Sequence, residues 1–242
     1  MREIDLNADL GEGVTDDAGL LEVVTSANVA CGYHAGDESI MRAACEQAVR
    51  RGVAIGAQVS YADRENFGRV AMDVAFDVLR DQVADQVGLL SQIAVSTGAK
   101  VAYLKPHGAL YNTVVDDEVQ ARAVLEGSGD LPVLGLPGSA FLRVAVDTGR
   151  AVHLEGFPDR AYTAQATLVP RSEPGAVLDD PDVIATRAVE MARAGAVASV
   201  CVHGDSPLAV ATALLVRRRL ESAGFVLRAF TFAGPGSSGR PA

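Results

Sequence analysis

All four histidines of this chain stand where an apolar run gives way to glycine or charge: Cys31-Gly32-Tyr33-His34-Ala35-Gly36-Asp37, Leu104-Lys105-Pro106-His107-Gly108, His153-Leu154-Glu155 and Cys201-Val202-His203-Gly204-Asp205. Histidine is the side chain that titrates unperturbed near neutral pH, so these segments are candidates for proton transfer. A lysine that ends a strand beside one of them adds a fixed cation for developing negative charge. Groups so far apart in sequence meet only if their strands end on one rim, as they do when strands and helices alternate.

The sequence alternates in that way. Apolar or alternating runs near 3–9, 26–32, 53–59, 100–105, 131–136, 151–157, 198–203 and 226–231 predict strands. Helical patterns lie near 15–22, 38–51, 74–97, 117–126, 139–148, 182–195 and 207–223. Asp37, Asp73 and Ser206 followed by Pro207 read as helix starts. Gly52, Gly98, Gly149, Gly195 and Gly224 read as helix stops. The segment 157–180, with Pro158, Pro170 and Pro174, is the longest irregular excursion, and long excursions in compact domains tend to be functional. One domain over 1–232 is expected, with a disordered tail over 233–242.

Strand parity sharpens the picture. In Glu3-Ile4-Asp5-Leu6-Asn7-Ala8-Asp9-Leu10, Asp5, Asn7 and Asp9 fall on one face and the apolar residues on the other. Packing helices on the apolar face of an α/β barrel turns the acidic face inward. Carboxylates buried there cost several kcal/mol each unless they meet a metal, a base or a substrate. Asn28 with His34, Gln58, Lys105 with His107, His153 with Glu155, and Cys201 with His203 repeat the pattern on other strands.

Composition bounds the function. The chain has 242 residues, 49% hydrophobic and 21% charged, and a formal net charge of −10, which disfavours a nucleic acid or an anionic membrane and leaves a small molecule as the expected partner. The N-terminus has no apolar leader pattern, and no apolar run approaches the roughly 20 residues of a membrane span, so a cytoplasmic protein is expected. Cys31, Cys45 and Cys201 are an odd set without ligand spacing and read as reduced thiols. Arg217-Arg218-Arg219 reads as a solvated helix face. The chain has no Gly-x-x-x-x-Gly-Lys-Ser/Thr phosphate loop.

Six blocks resemble one known family: residues 5–12 (Asp-Leu-Asn-Ala-Asp-Leu-Gly-Glu), 26–37, 105–112 (Lys-Pro-His-Gly-Ala-Leu-Tyr-Asn), Asp159-Arg160-Ala161-Tyr162, Leu168-Val169-Pro170-Arg171 and 201–205. They look like the signature blocks of the LamB/YcsF family, in the same order. The resemblance implies a single TIM-like (β/α) barrel of the glycoside hydrolase/deacetylase type, with seven or so strands. It also implies a part, as the A component of a 5-oxoprolinase with partner subunits B and C, in ATP-dependent opening of 5-oxo-L-proline to L-glutamate. ATP, with magnesium or another divalent ion, is the cofactor it implies.

Under that resemblance Asp9, His34, Lys105, His107 and His203 are the expected catalytic set. Lys105 stabilises charge on the lactam oxygen or phosphate, Asp9 serves as base or metal ligand, and the histidines move protons. Asp5, Asn7, Glu12, Asn28, Asp37, Arg69, Tyr111, Asn112, Glu155, Arg160, Arg171 and Asp205 are expected around the substrate, with Arg160 or Arg171 holding its carboxylate by a two-point fork. A metal, if used, would fall to Asp9 and His34.

One block departs from the family: Gly56-Ala57-Gln58 stands where relatives commonly have Gly-Ala-His. Glutamine neither binds metal well nor carries protons near pH 7, which puts a metal site on that strand in doubt. A metal-dependent deacetylase or amidohydrolase, and a non-catalytic lactam-binding protein, are the alternative readings.

Overall fold

The structure, a computed structural model, describes residues 2–14, 16–205 and 208–232. Its elements run β1 (Arg2–Leu10), α1 (Asp17–Leu21), β2 (Ser26–Ala30), α2 (Glu38–Arg51), β3 (Ala54–Val59), α3 (Phe76–Ser96), β4 (Val101–Pro106), α4 (Gly108–Thr113), α5 (Glu118–Gly127), β5 (Val133–Gly135), α6 (Ala140–Asp147), β6 (Val152–Gly156), α7 (Pro181–Ala194), β7 (Ser199–Cys201), α8 (Ala209–Ser222) and β8 (Phe225–Leu227). The strands pair in parallel in the order β2-β3-β4-β5-β6-β7-β1-β8, and β1 also pairs with β2. The ring therefore closes through β1 to β7, while β8 adds to the first residues of β1, Arg2 to Ile4.

The parity of β1 explains the closure. Ile4, Leu6, Ala8 and Leu10 belong to the large apolar core shared with Leu20, Met41, Leu79, Leu90, Val124 and Val216 of the helices. That leaves Asp5, Asn7 and Asp9 buried on the opposite face, inside the ring. A small cluster of Ala54, Tyr103, Leu134, Ala229 and Phe230 fills the other end of the interior, with Phe230 packed edge-on against Tyr103 at 4.8 Å. Gly56 makes room for Tyr103, since a methyl group at 56 would overlap its ring.

Helix boundaries follow the local signals closely. Asp37 caps α2 by accepting from the Ile40 N–H at 2.9 Å, and Gly52 and Gly195 end α2 and α7 in the left-handed conformation. Asp73 does not start α3: Ala75 stands at that cap with no side-chain acceptor. The short α4 after His107 has no counterpart in the periodicity, because six residues hold under two helical turns. The Ser206-Pro207 start and the 233–242 tail lie outside the described residues. The excursion is tied down by antiparallel bridges between Arg160 and Val177 and between Tyr162 and Leu168.

Two glycine contacts join the rim loops. Gly36 has φ +74°, and a methyl group there would overlap the Gly11 carbonyl oxygen; Gly108, at φ +61°, abuts the Gly68 carbonyl in the same way. The β1 and β2 loops are thereby locked together, as are the β3 and β4 loops.

Gly36→Ala should lower stability by at least about 2 kcal/mol more than Gly52→Ala, because the first adds backbone overlap to left-handed strain while Gly52 has open space around it. Denaturant unfolding of the two variants checks this; equal losses would show that the loop contact yields freely.

Candidate active site

The interior of the barrel is organised around one ammonium group. Lys105 Nζ, at the end of β4, lies 3.1 Å from Asp9 Oδ1, 2.8 Å from Glu155 Oε1, 3.4 Å from Asn7 Oδ1 and 3.2 Å from Cys201 Sγ, with the Phe157 ring 5.2 Å away. Burial works to raise the Asp9 carboxyl, yet the Lys105 ammonium together with His203, His107 and the Asn28 hydrogen bond outweighs it and holds Asp9 far below the usual carboxylate range. Burial likewise opposes the lysine charge, and Asp9 and Glu155 keep it protonated. Glu155 shifts upward, because burial there exceeds the pull of the single cation it shares with Asp9.

Amides and hydroxyls satisfy what the lysine leaves over. Asn28 Nδ2 donates to Asn7 Oδ1 at 2.7 Å and to Asp9 Oδ1 at 2.8 Å, Tyr103 Oη donates to Asn28 Oδ1 at 2.7 Å, and Asn7 Nδ2 donates to Glu155 Oε1 at 3.0 Å. Tyr111 Oη donates to Glu155 Oε2 at 3.1 Å. One layer below, Asp5 accepts from Thr25 and Ser26, each at 2.6 Å, and from Ser199. Burial nevertheless pushes the Asp5 carboxyl up to about 6.

A second cluster lies at the ends of β1, β2 and β4. His34 and His107 stack at 4.2 Å with rings 19° apart, and Glu12 Oε1 is 3.9 Å from His34 Nε2 and 3.7 Å from His107 Nε2. Glu12, His34 and His107 each place one ligand-type atom within 4.8 Å of the others, and Glu12 Oε1, both ring nitrogens of His34 and His107 Nδ1 have no hydrogen-bond partner among the described residues. Burial, with His34 alongside, drives His107 well below the usual histidine range, so it is neutral at pH 7. Phe67 meets both rings edge-on at 5.8 Å, held at φ +58° by its loop, and Gly68 packs on His34 Cβ.

Above the ammonium opens a cavity of about 610 Å³. Asp9, Lys105, His107 and His203 line it, together with Arg69, Tyr111, Asn112, Arg160 and Arg171. His203 stacks on Phe157 at 5.5 Å, and Asp159 Oδ2 lies 2.7 Å from its Nδ1 and accepts from its backbone N–H at 2.9 Å. At the mouth Asp205 pairs with Arg69 and, at 3.5 Å, with Arg171. The floor thus offers a fixed cation, the wall imidazoles, and the mouth two guanidiniums sharing one carboxylate.

A sequence model of the LamB/YcsF family matches residues 4–233. The chain belongs to the LamB/YcsF family. A protein of Streptomyces avermitilis, named as the A subunit of 5-oxoprolinase, is 54% identical to this LamB/YcsF chain over 94% of its length and 99% of the relative's. The crystal structure of a lactam utilization protein from Thermus thermophilus superposes with a TM-score of 0.88 at 36% identity, covering 94% of this chain and all of that one. The catalytic domain of a peptidoglycan N-acetylglucosamine deacetylase from Eubacterium rectale superposes with a TM-score of 0.54 at 12% identity, covering 99% of this chain and 93% of that one, which extends the likeness of fold alone to deacetylase-type barrels.

Several expected site residues of this LamB/YcsF barrel do not reach the cavity. Asp5, Asn7, Asn28 and Glu155 lie beneath it as the support of Lys105 and Asp9. His34 and Glu12 sit behind His107. Asp37 is a helix cap. Arg160 lines the cavity but directs Nε to the Ala176 carbonyl at 3.1 Å and Nη2 to the Val169 carbonyl at 2.6 Å, clasping the excursion, so the forks that face the mouth are Arg69 and Arg171, which share Asp205. The expected metal pair of Asp9 and His34 is also divided: Asp9 is engaged by Lys105 and Asn28, and His34 groups with Glu12 and His107. His153 is at the far end, tilted against Phe230 at 4.5 Å. Gln58 is buried in register with Lys105, and neither of its amide atoms has a partner among the described residues.

Asp159 is the functional candidate that sequence reasoning passed over, because parity stops where a strand becomes loop. Its signals were its place in the irregular excursion and in one of the family blocks.

The folded chain holds the Asp5 proton more tightly than an unfolded carboxylate near 3.8, so stability should fall as pH rises through about 4 to 6, by up to about 3 kcal/mol. Unfolding of wild type and Asp5→Asn at pH 4 and pH 7.5 tests this: the difference should move in favour of Asp5→Asn at the higher pH. A pH-independent difference would refute the raised Asp5 carboxyl.

Proposed function

We propose that this chain is the A component of an ATP-dependent 5-oxoprolinase that, with subunits B and C, opens the lactam of 5-oxo-L-proline to L-glutamate. The observation that carries this reading is the 54% identity, over nearly the whole of both chains, to a protein named as the A subunit of 5-oxoprolinase. The likeness to a lactam utilization protein supports it, and so does the site chemistry.

A five-membered lactam is a stable amide, and phosphoryl transfer from ATP to its oxygen would weaken that amide before water attacks. Because the chain has no phosphate loop, ATP coupling is assigned to the assembled enzyme rather than to this chain by itself. The Lys105 ammonium, fixed at a strand end, faces charge developing on the lactam oxygen without having to reorganise. Arg69 and Arg171 would exchange Asp205 for the substrate carboxylate at the mouth, and an imidazole on the wall takes the proton from water. The net charge of −10 makes such a cationic mouth the local attraction for an anionic substrate.

A second reading, a metal-dependent amidohydrolase, is favoured by one observation: the buried cluster of His34, His107 and Glu12, in which both His34 ring nitrogens, His107 Nδ1 and Glu12 Oε1 have no partner among the described residues. Such a donor set suits a divalent transition ion, provided the stacked rings turn apart, and it does not draw on the strand where Gln58 replaces histidine. Bound there, an ion would supply Lewis acidity beside the cavity.

The decisive experiment is glutamate release from 5-oxo-L-proline by the purified chain with its cognate B and C partners, with and without ATP and after chelation. ATP-dependent release that vanishes when this chain is omitted is expected. Release by the chain alone, indifferent to ATP and abolished by chelation, would replace this reading with the metal-dependent one.

Within the complex, Lys105→Met should reduce turnover more than tenfold, roughly 1.4 kcal/mol. That variant leaves two buried carboxylates unpaired and is expected to lose about 3–5 kcal/mol of stability. Arg171→Gln, at the partly exposed mouth, separates the effects: it should raise KM severalfold with little change in unfolding midpoint.

A further inference from the structure

We propose that Asp159 is the positioning residue that makes His203 the general base of the cavity. The inference rests on the hydrolytic reading above and names the proton acceptor within it. Register brings the two residues together: Glu155 of β6 pairs with Ser199 of β7, and Asp159 and His203 each lie four residues beyond those partners. Two chain segments leaving the rim side by side thus deliver a carboxylate and an imidazole to the same place.

The imidazole is held in three ways. Asp159 Oδ2 takes the ring Nδ1 at 2.7 Å and the His203 backbone N–H at 2.9 Å, and Phe157 covers the ring face at 5.5 Å and 21°. Burial would raise the Asp159 carboxyl, but its contacts with His203 outweigh burial and keep it ionised. An ionised carboxylate only accepts, so the ring proton stays on Nδ1 and the Nε2 lone pair is free. His203 lines the cavity and Asp159 does not, which leaves Nε2 as the ring nitrogen that reaches substrate. The other histidine of the cavity wall, His107, has no partner on Nδ1 among the described residues to set its tautomer, and its neighbour His34 is fully behind it.

The step is written on the lactam whose oxygen ATP has phosphorylated with release of ADP, and the carboxyl phosphate left after ring opening gives up inorganic phosphate to a second water. Nε2 of His203 takes a proton from water as the hydroxyl oxygen bonds to the lactam carbonyl carbon. The C–N bond then breaks with its electron pair going to nitrogen, and the imidazolium returns the proton to that nitrogen. Asp159 stabilises the imidazolium and takes no proton itself.

The test is the tautomer of His203, read from two-bond ¹H–¹⁵N correlations of the ¹⁵N-labelled chain and assigned with His203→Gln. A wild-type ring protonated at Nδ1 is expected. In Asp159→Asn the amide N–H₂ donates to Nδ1, so the proton moves to Nε2. In the reconstituted complex kcat should then fall by about a hundredfold or more while KM stays within about threefold, and Asp159→Glu should recover part of it. A wild-type ring protonated at Nε2 overturns the proposal, as does Asp159→Asn with kcat within threefold of wild type. The tautomer needs neither lactam nor partner proteins. A complex that leaves 5-oxo-L-proline intact while His203 shows the Nδ1–H form therefore refutes the lactam reading and spares the positioning by Asp159.

Discussion

The burial of the Lys105 ammonium between Asp9 and Glu155 is the constraint to which the rest of the interior answers. Each ion alone would cost several kcal/mol inside the barrel, and the group is tolerable only because its charges and its remaining hydrogen-bonding capacity are met together. Lys105 comes from β4, Asp9 from β1 and Glu155 from β6, so the cluster links strands spread around the ring. Asn7 and Asn28 act as two-sided connectors, since an amide both donates and accepts. Tyr103 reaches Asn28 only because residue 56 on the neighbouring strand is glycine.

That polar interior has a counterpart outside. Every second residue of β1 meets helices through an apolar side chain, which allows the strand to carry three carboxylate or amide groups inward without exposing any. Stability and chemistry are thereby assigned to opposite faces of the same strand. Above the charged tier, loop contacts at glycine set the rim: Gly11 against Gly36 brings Glu12 near His34, and Gly68 against Gly108 brings the Phe67 edge over the histidine pair. The left-handed backbone of Phe67, uncommon for a bulky residue, is stored where the site is built.

The two kinds of histidine on this rim differ in what surrounds them. His34 and His107 are a buried, mutually stacked pair facing one carboxylate across a gap too wide for a hydrogen bond. His203 has a close carboxylate, a covered face and an open edge. A buried neutral imidazole and an oriented imidazole suit different tasks, and the floor between them is the same ammonium group.

Much of this was legible in the residues alone, because strand parity is a local property. The inward placement of Asp5, Asn7, Asp9, Lys105 and Glu155, the eight apolar runs and most helix ends follow from alternation, caps and glycines whose effects reach only a few residues. The barrel's class and the family blocks were likewise readable in order along the chain. Tertiary structure alone decided which polar residues meet. It placed Asp9 with Lys105 rather than with His34, gave Arg160 to backbone carbonyls, left Asn7 and Glu155 below the cavity floor, and set Asp159 against His203. Periodicity says which way a side chain leaves its strand, but loop paths and the register of neighbouring strands determine what it finds there, and those depend on the closure of the whole ring.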